Sequence, residues 1–209
     1  SPVANKRAIE WTIKVGLALN CKINLFSKFD RKHYFYPDLP KGYQISQLYK
    51  PIILGGHVDI NINGEARKIN VTRAHLEEDA GKSTHPAGKD YSLVDLNRAG
   101  TPLLEIVSEP EIHTPQEAKA YARELYLAMK HSGVSDADLY YGNMRFDVNV
   151  SVSNNPEILG ERTETKNLNS FRSVEKAVEY EIKRQIDLLK LESVYLKKVL
   201  LNSKMCTHI

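Results

Sequence analysis

Apolar residues recur at helical spacing near both ends of the chain and at alternate positions through its middle. Between Ser1 and Asn20, the residues Ile9, Ile13 and Leu17 form an i, i+4 row, with Asn5 as N-cap and Asn20 as stop. Lys22 to Phe29 alternates Ile23 and Leu25 with Lys and Asn, which predicts a strand. Val58-Asp-Ile-Asn-Ile62 and Ala66-Arg-Lys-Ile-Asn-Val71 flank Asn63-Gly64, a hairpin signal because both turn positions must accept positive φ. Further strands are expected near Thr72 to Leu76, Leu93 to Asn97 and Leu103 to Val107. Thr114-Pro-Gln-Glu117 reads as a capping box with proline at the first helical position. Ala118, Tyr121, Ala122, Leu125 and Met129 then form a buried stripe, and Gly133 ends that helix. From Met144 to Ser153 the alternation is complete. Met144, Phe146, Val148, Val150 and Val152 share one face, and Arg145, Asp147, Asn149, Ser151 and Ser153 the other. Arg162, Glu164 and Lys166 repeat the pattern on a second strand, before a long helix from about Ser170 to Leu191.

Strands mixed with two or three helices, and few βαβ units, predict an α+β fold on a mixed, mostly antiparallel sheet. Irregular segments are expected at Gly81 to Lys89, at Asn154 to Gly160 and after Leu191. The 209 residues suffice for one sizeable domain, and 42% hydrophobic with 26% charged residues suits a water-soluble globular one. No apolar run is long enough to span a bilayer, so no membrane partner is expected. Cys21 and Cys206 stand far apart without metal-ligand spacing, which fits a reducing compartment. A net charge of +3 does not announce a nucleic-acid binder, although a local basic patch suffices to hold phosphates.

The richest stretch chemically is Tyr34-Phe-Tyr-Pro-Asp-Leu-Pro-Lys-Gly-Tyr-Gln-Ile-Ser-Gln47. Its aromatics, prolines and hydrogen-bonding side chains describe an ordered loop over a site. Such rings either plug a core edge or stack the bases of single-stranded RNA, such as a tRNA 3′ end. Asp79-Ala-Gly-Lys-Ser-Thr84 is not a P-loop, since the position that must be glycine is Leu76; Lys82 and neighbouring amides can still touch phosphate in another geometry. Glu77, Glu78, Asp79, Asp95, Glu105, Glu109, Asp147 and Glu164 form a set of carboxylates on or beside apolar strands. Buried alone, each costs several kcal/mol unless a cation or donors meet it. Either ion pairs such as Glu105 with Arg98, or a divalent cation bridging to nucleotide phosphates, would do so. Arg145, Asp147 and Asn149, with Arg162, Glu164 and Lys166, line either a polar groove or a solvated sheet face. His75 and His85 read as structural or hydrogen-bonding residues rather than metal ligands.

Five separated blocks carry a family resemblance. They are Ser27-Lys-Phe-Asp-Arg-Lys32 continuing into the aromatic loop, His75-Leu-Glu-Glu-Asp-Ala-Gly-Lys-Ser-Thr-His85, Leu93-Val-Asp-Leu-Asn-Arg98 running on to Pro110, and Thr163-Glu-Thr-Lys-Asn-Leu-Asn-Ser-Phe171. In this order they resemble the B subunit of the aspartyl/glutamyl-tRNA amidotransferases. The resemblance implies a cradle-shaped catalytic domain over residues 1–191 and a divergent tail over 192–209, without the family's helical and tail tRNA-binding domains. It implies ATP and Mg²⁺ as cofactors, the amidase-type A subunit and the small C subunit as partners, and misacylated Glu-tRNA or Asp-tRNA as substrate. The side-chain carboxylate would be phosphorylated and the phosphate replaced by ammonia. Glu78 and Glu105 match metal ligands. Lys32, Lys82, His85, Asp95, Arg98, Asp147 and Lys166 match the catalytic blocks. Lys82, Ser83, Asn97, Arg145, Asn149 and Glu164 match nucleotide-contacting positions, and Tyr34, Tyr36, Tyr43 and Gln44 the surface for the tRNA 3′ end. The expected compartment is the bacterial cytoplasm, or a mitochondrion or plastid in a eukaryote. Family members open with a Gly-Leu-Glu-x-His strand that this chain lacks at Ser1-Pro-Val-Ala-Asn5, so a fragment is expected. The alternative is a non-catalytic RNA-binding or assembly module on the same fold.

Overall fold

Asn5 accepts a hydrogen bond from the Ala8 amide and starts α1 (Lys6–Ala18). The computed structural model describes residues 3–155, 157–192 and 200–208. Helix α1 buries Thr12, Val15 and Gly16; of the expected Ile9–Ile13–Leu17 row, Ile9 and Ile13 pack half-buried at the edge of this face and Leu17 is exposed, so the inner face is rotated towards Gly16. Gly16 explains the rotation: a Cβ there would lie 2.7 Å from the Ile23 and Ile53 side chains. The helix therefore seats on its small-residue side. The strand expected over Lys22 to Phe29 shrinks to β1 (Lys22–Ile23), because the Asn24 side chain turns to the Pro51 carbonyl and Leu25 and Phe26 face solvent.

Next come β2 (Asp30–His33), β3 (Tyr43–Ser46), β4 (Ile53–Leu54), β5 (His57–Ile62) and β6 (Glu65–Glu78). The β5–β6 turn is the Asn63-Gly64 hairpin, with φ of +54° and +91°. The segment expected as a separate strand at Thr72 to Leu76 is the second half of β6. Between Val71 and Arg73 the register against β9 (Pro102–Ser108) shifts, with Val71 opposite Ser108 and Arg73 opposite Val107. Thr72 is thus the extra residue of a β-bulge, and its carbonyl accepts from the Gly55 amide at 3.1 Å. Before the bulge the core receives Ile69 and Val71; after it, Ala74 and Leu76. The bulge reverses which parity points inward.

The stretch expected as irregular at Gly81 to Lys89 contains β7 (Lys82–Thr84), which pairs with β8 (Leu93–Asp95) as a small sheet of its own. Helix α2 (Pro115–Ser132) has both bonds of its capping box and a left-handed Gly133 at its end. Strands β10 (Arg145–Ser153) and β11 (Thr163–Leu168), helix α3 (Phe171–Glu192) and β12 (Leu200–His208) complete the described residues. The order in the main sheet is β1-β4-β6-β9-β12-β10-β11, with β5 branching from β6, and every described pairing is antiparallel. Beyond Leu191, where an irregular tail was expected, the backbone of Leu200–His208 forms a strand between β9 and β10.

The three helices cover one face of this sheet. Ile53, Ala74, Leu76, Ile106, Phe146 and Val148 meet Val15, Tyr121, Leu125, Val174 and Val178 in one apolar core. The opposite face carries His75, Glu77, Asp147, Asn149, Ser151 and Ser153, all buried. Of the six residues expected to line either a polar groove or a solvated face, Asp147 and Asn149 on β10 are buried, while Arg162, Glu164 and Lys166 are exposed.

Helix α3 is pinned by side chains rather than by apolar contact alone. Gln185 accepts from the Val152 amide at 2.8 Å and donates to the Val150 carbonyl at 2.9 Å, extending the ladder where β11 stops. Glu181 accepts from Arg184, Gln185 and the Thr163 hydroxyl. The Arg184 guanidinium, ahead of the Thr163 and Gln185 donors, holds the Glu181 carboxyl down to about 2 against the opposing effect of burial. A carboxylate with a depressed folded pKa stabilises fully above its unfolded pKa and loses that stabilisation as pH falls through the folded value. Glu181→Gln should therefore cost about 1–3 kcal/mol at pH 7 in urea unfolding, with the difference from wild type closing as pH falls from about 4.5 towards 2. Thr114→Ala removes the acceptor of the Glu117 amide and should cost about 1 kcal/mol at any of these pH values.

Candidate metal and phosphate site

Because the Thr72 bulge reverses the parity of β6, its odd positions Arg73, His75 and Glu77 face away from the helices. On β9 the same face carries Leu103, Glu105 and Val107, and the register sets Glu105 directly opposite His75. The His75 Nε2 lies 3.4 Å from a Glu105 oxygen and 3.6 Å from a Glu77 oxygen. Among the described residues, His75, Glu77 and Glu105 form the group whose donor atoms all lie within 4.8 Å of one another and suit one metal ion. His75 and Glu77 are buried, and the His75 Nδ1 has no hydrogen-bond partner among the described residues. The Ser46 hydroxyl donates to Glu77 at 3.2 Å from the neighbouring β3. Gln47, fully buried, accepts from the Leu76 amide and so ties the segment after β3 to β6.

Glu78 takes the opposite side of the strand. It is met by the Lys41 ammonium and by the Ile45 amide at 2.9 Å, and its carbonyl accepts from Gln44 at 2.7 Å. The structure therefore does not bring Glu78 and Glu105 together; His75 and Glu77 stand beside Glu105 instead. The signal for this was in the chain, since His75-x-Glu77 on a strand puts both side chains on one face. What was missing was the partner across the sheet.

Asp79, just past β6, is flanked by two guanidiniums, Arg98 at 3.1 Å and Arg145 at 3.2 Å. Arg98 also donates to the carbonyls of Ala80 and Gly81, so it pairs with Asp79 rather than with Glu105. Gly81 sits where a Cβ would meet the Asp95 carbonyl at 2.8 Å, and its amide donates to the Asp38 carbonyl. This close crossing ties the aromatic loop to the β7–β8 sheet. A cavity of about 890 Å³ lies beside the Asp79 knot, with Trp11, Leu104, Arg98 and Arg145 in its walls.

Strands β7 and β8 carry Lys82 opposite Asp95 and Ser83 opposite Val94. Asp95 accepts from the backbone and side chain of Asn97, and His85 bonds Ser92 at 2.7 Å. These residues form a lobe of their own. On the other side of the sheet centre, Asp147 accepts from the amide of Asn167 at 2.7 Å. Asn167 has φ +60° at a second register shift, so Asp147 stabilises a left-handed bulge residue of β11. Asn149 is buried opposite Glu164, while Glu164 and Lys166 form an ion pair of 3.4 Å on the exposed side chains of β11.

The aromatic segment divides by role. Arg31 and Lys41 both lie against the Tyr43 ring, with their charges 4.6 Å and 4.9 Å from its centre, and Gln44 is buried. Both hold the segment in place. Phe35 and Tyr36 project into solvent, and Lys32 lies 5.8 Å from the Tyr34 ring. Burial raises the Tyr34 phenol above its usual pKa, and the charges of Asp38, Glu77, Asp79 and Glu78 push it further. The phenol thus keeps its proton and stands as a donor beside the acidic end of β6. Burial likewise lifts Cys21 to about 11, which makes its thiol inert.

Residues 1–207 match the family described as the GatB/GatE catalytic domain. The B subunit of the aspartyl/glutamyl-tRNA(Asn/Gln) amidotransferase from Thermodesulfovibrio yellowstonii is 56% identical over 190 residues, which are 90% of this chain and 40% of the relative. Its namesake from Campylobacter hominis is 57% identical over 187 residues, 89% of this chain and 39% of the relative. That of Staphylococcus saprophyticus is 55% identical over 185 residues, 88% and 38% respectively. The chain spans about 40% of the length of these curated relatives. Matched across nearly its whole length by the family, and identical to three bacterial relatives at more than half of the aligned positions, the chain belongs to the GatB/GatE catalytic domain family.

Proposed function

We propose that this chain is the carboxylate-activating part of an aspartyl/glutamyl-tRNA(Asn/Gln) amidotransferase, using ATP and a divalent cation on misacylated Glu-tRNA or Asp-tRNA. The observation that carries the reading is the convergence of His75, Glu77 and Glu105 on one buried patch. The donor set fits Mg²⁺ or the similar Mn²⁺: two carboxylates supply hard oxygen ligands and His75 adds one nitrogen. Bound there, the ion would neutralise phosphate charge during phosphoryl transfer. The chain's own groups do the rest. Glu77 is oriented by Ser46, and Glu105 is held against His75 by the β6–β9 register. Lys82, exposed on β7, offers an ammonium that can follow a phosphate or the substrate carboxylate. Arg98 and Arg145, both paired with Asp79, act as positioning residues that hold the β7–β8 lobe against the sheet. The protonated Tyr34 phenol offers a donor at the acidic end of β6. Phe35 and Tyr36 offer exposed rings for stacking the last bases of the tRNA. Ammonia would come from an amidase-type A subunit, with a small C subunit completing the assembly. The exposed apolar side chains Tyr91, Leu93 and Leu96 around β8 suit such a contact.

Three outcomes test this assignment. In Mn²⁺ titrations of the isolated chain followed by electron paramagnetic resonance, Glu105→Gln and Glu77→Gln should each weaken binding about 10–100-fold with unchanged circular dichroism. Mixed with the A and C subunits, glutamine and Glu-tRNA(Gln), the Glu105→Gln chain should lose tRNA-stimulated ATP hydrolysis. Wild-type affinity and turnover in that variant would remove the metal role. The double change Phe35→Ala/Tyr36→Ala should weaken binding of a tRNA acceptor-stem oligonucleotide ending in CCA by about 30-fold or more, at about 1–3 kcal/mol for each of two stacked bases. Unchanged affinity would place the 3′ end elsewhere.

A further inference from the structure

We infer that Arg73 is the oxyanion receptor of this site, taking a phosphoryl group whose other oxygens would meet a metal ion held by His75, Glu77 and Glu105. The inference rests on the metal reading above and adds a residue to it.

Arg73 is the first residue after the Thr72 bulge and faces the same side as His75 and Glu77. Two positions along a strand are about 6.6 Å, so its guanidinium starts one side-chain row from the carboxylates. Its cross-strand neighbours are both apolar, Leu54 on β4 and Val107 on β9. The Arg73 Nε is buried and has no hydrogen-bond partner among the described residues. The other basic groups near the acidic end of β6 are committed: Lys41 to Glu78, Arg98 and Arg145 to Asp79. A guanidinium cannot shed its charge by deprotonation, and a buried donor left unmet costs about 1–3 kcal/mol, more when charged. An oxyanion arriving on this face would meet that donor. Glu105, diagonal to Arg73 across the sheet, is turned towards His75 instead.

Phosphoryl is favoured over carboxylate on charge. The patch holding His75, Glu77 and Glu105 is itself acidic, so a metal there would offset the repulsion that an anion drawn to Arg73 meets. A phosphoryl group has enough oxygens to meet a metal and a two-pronged guanidinium at once. Bulges beside sites commonly re-aim one side chain, and this one delivers Arg73 to the face that carries the carboxylates.

The test uses the 209-residue chain with Mn²⁺, inorganic phosphate and acetate, read by calorimetry and by the Mn²⁺ resonance. In the Mn²⁺-loaded chain, Arg73→Gln should weaken phosphate binding about 10–100-fold and leave Mn²⁺ affinity unchanged. Arg73→Lys should fall between the two, since an ammonium keeps the charge and loses the fork. Phosphate affinity equal to wild type in Arg73→Gln overturns the inference while leaving the metal reading standing. Acetate binding tighter than phosphate, with the same dependence on Arg73, overturns the phosphoryl assignment in favour of a carboxylate. Should Arg73→Gln fail to fold, Arg73→Lys decides: undiminished phosphate affinity overturns the role. If Mn²⁺ does not bind the wild-type chain, the metal reading falls, and phosphate titration of the metal-free chain decides Arg73 alone. Arg73-dependent binding then supports the receptor, and binding that is absent or independent of Arg73 overturns it.

Discussion

One inserted residue, Thr72, governs the chemistry of the whole sheet. Strand β6 crosses the core twice over: Ile69 and Val71 pack inward before the bulge, Ala74 and Leu76 after it. Without the insertion, side-chain alternation would carry on in phase and turn Arg73, His75 and Glu77 into the helices. Three charged or polar groups in that apolar layer would cost far more than the few kcal/mol by which a domain is stable. With it, they share a face with Glu105. The bulge is held in turn from just past β4, where the Gly55 amide donates to the Thr72 carbonyl.

The two faces of the sheet thus solve opposite problems. On the helix side, apolar burial and the capping of α2 suffice, with Glu181 and Gln185 tying α3 to the sheet through hydrogen bonds. On the other side the buried groups are polar, and each needs a partner. Asp147 finds one in the amide of a left-handed residue, Glu77 in Ser46, and Asp79 in two arginines. Polar networks of this kind stabilise only when their members are satisfied, which confines them to one arrangement. His75, its Nδ1 unmet among the described residues, departs from that rule, and this is why its cluster reads as a site rather than as a strut.

Membership of the GatB/GatE catalytic domain family and this geometry bear on different questions. The family match covers nearly the whole chain, while the geometry decides which side chains stand together. Glu78, matched to a metal ligand by sequence, is held by Lys41 and Ile45 on the far side of its strand, and Tyr43 and Gln44 brace the aromatic segment that Phe35 and Tyr36 present.

Local periodicity determined much of this. The Asn63-Gly64 hairpin, the capping box of α2, the alternation of β10, the α3 helix and the α+β class all follow from neighbours within a few residues, because turn dihedrals and side-chain period are local properties. Gly16 already shows the limit: the seating of α1 depends on how closely Ile23 and Ile53 can approach, and not only on its own apolar row. The Thr72 bulge, the pairing of His75 with Glu105, the Asp79 knot and the position of Leu200–His208 between β9 and β10 depend on which strands meet and in what register. Register is set by packing across the sheet, so only the tertiary structure decided which charged residues of this chain stand together.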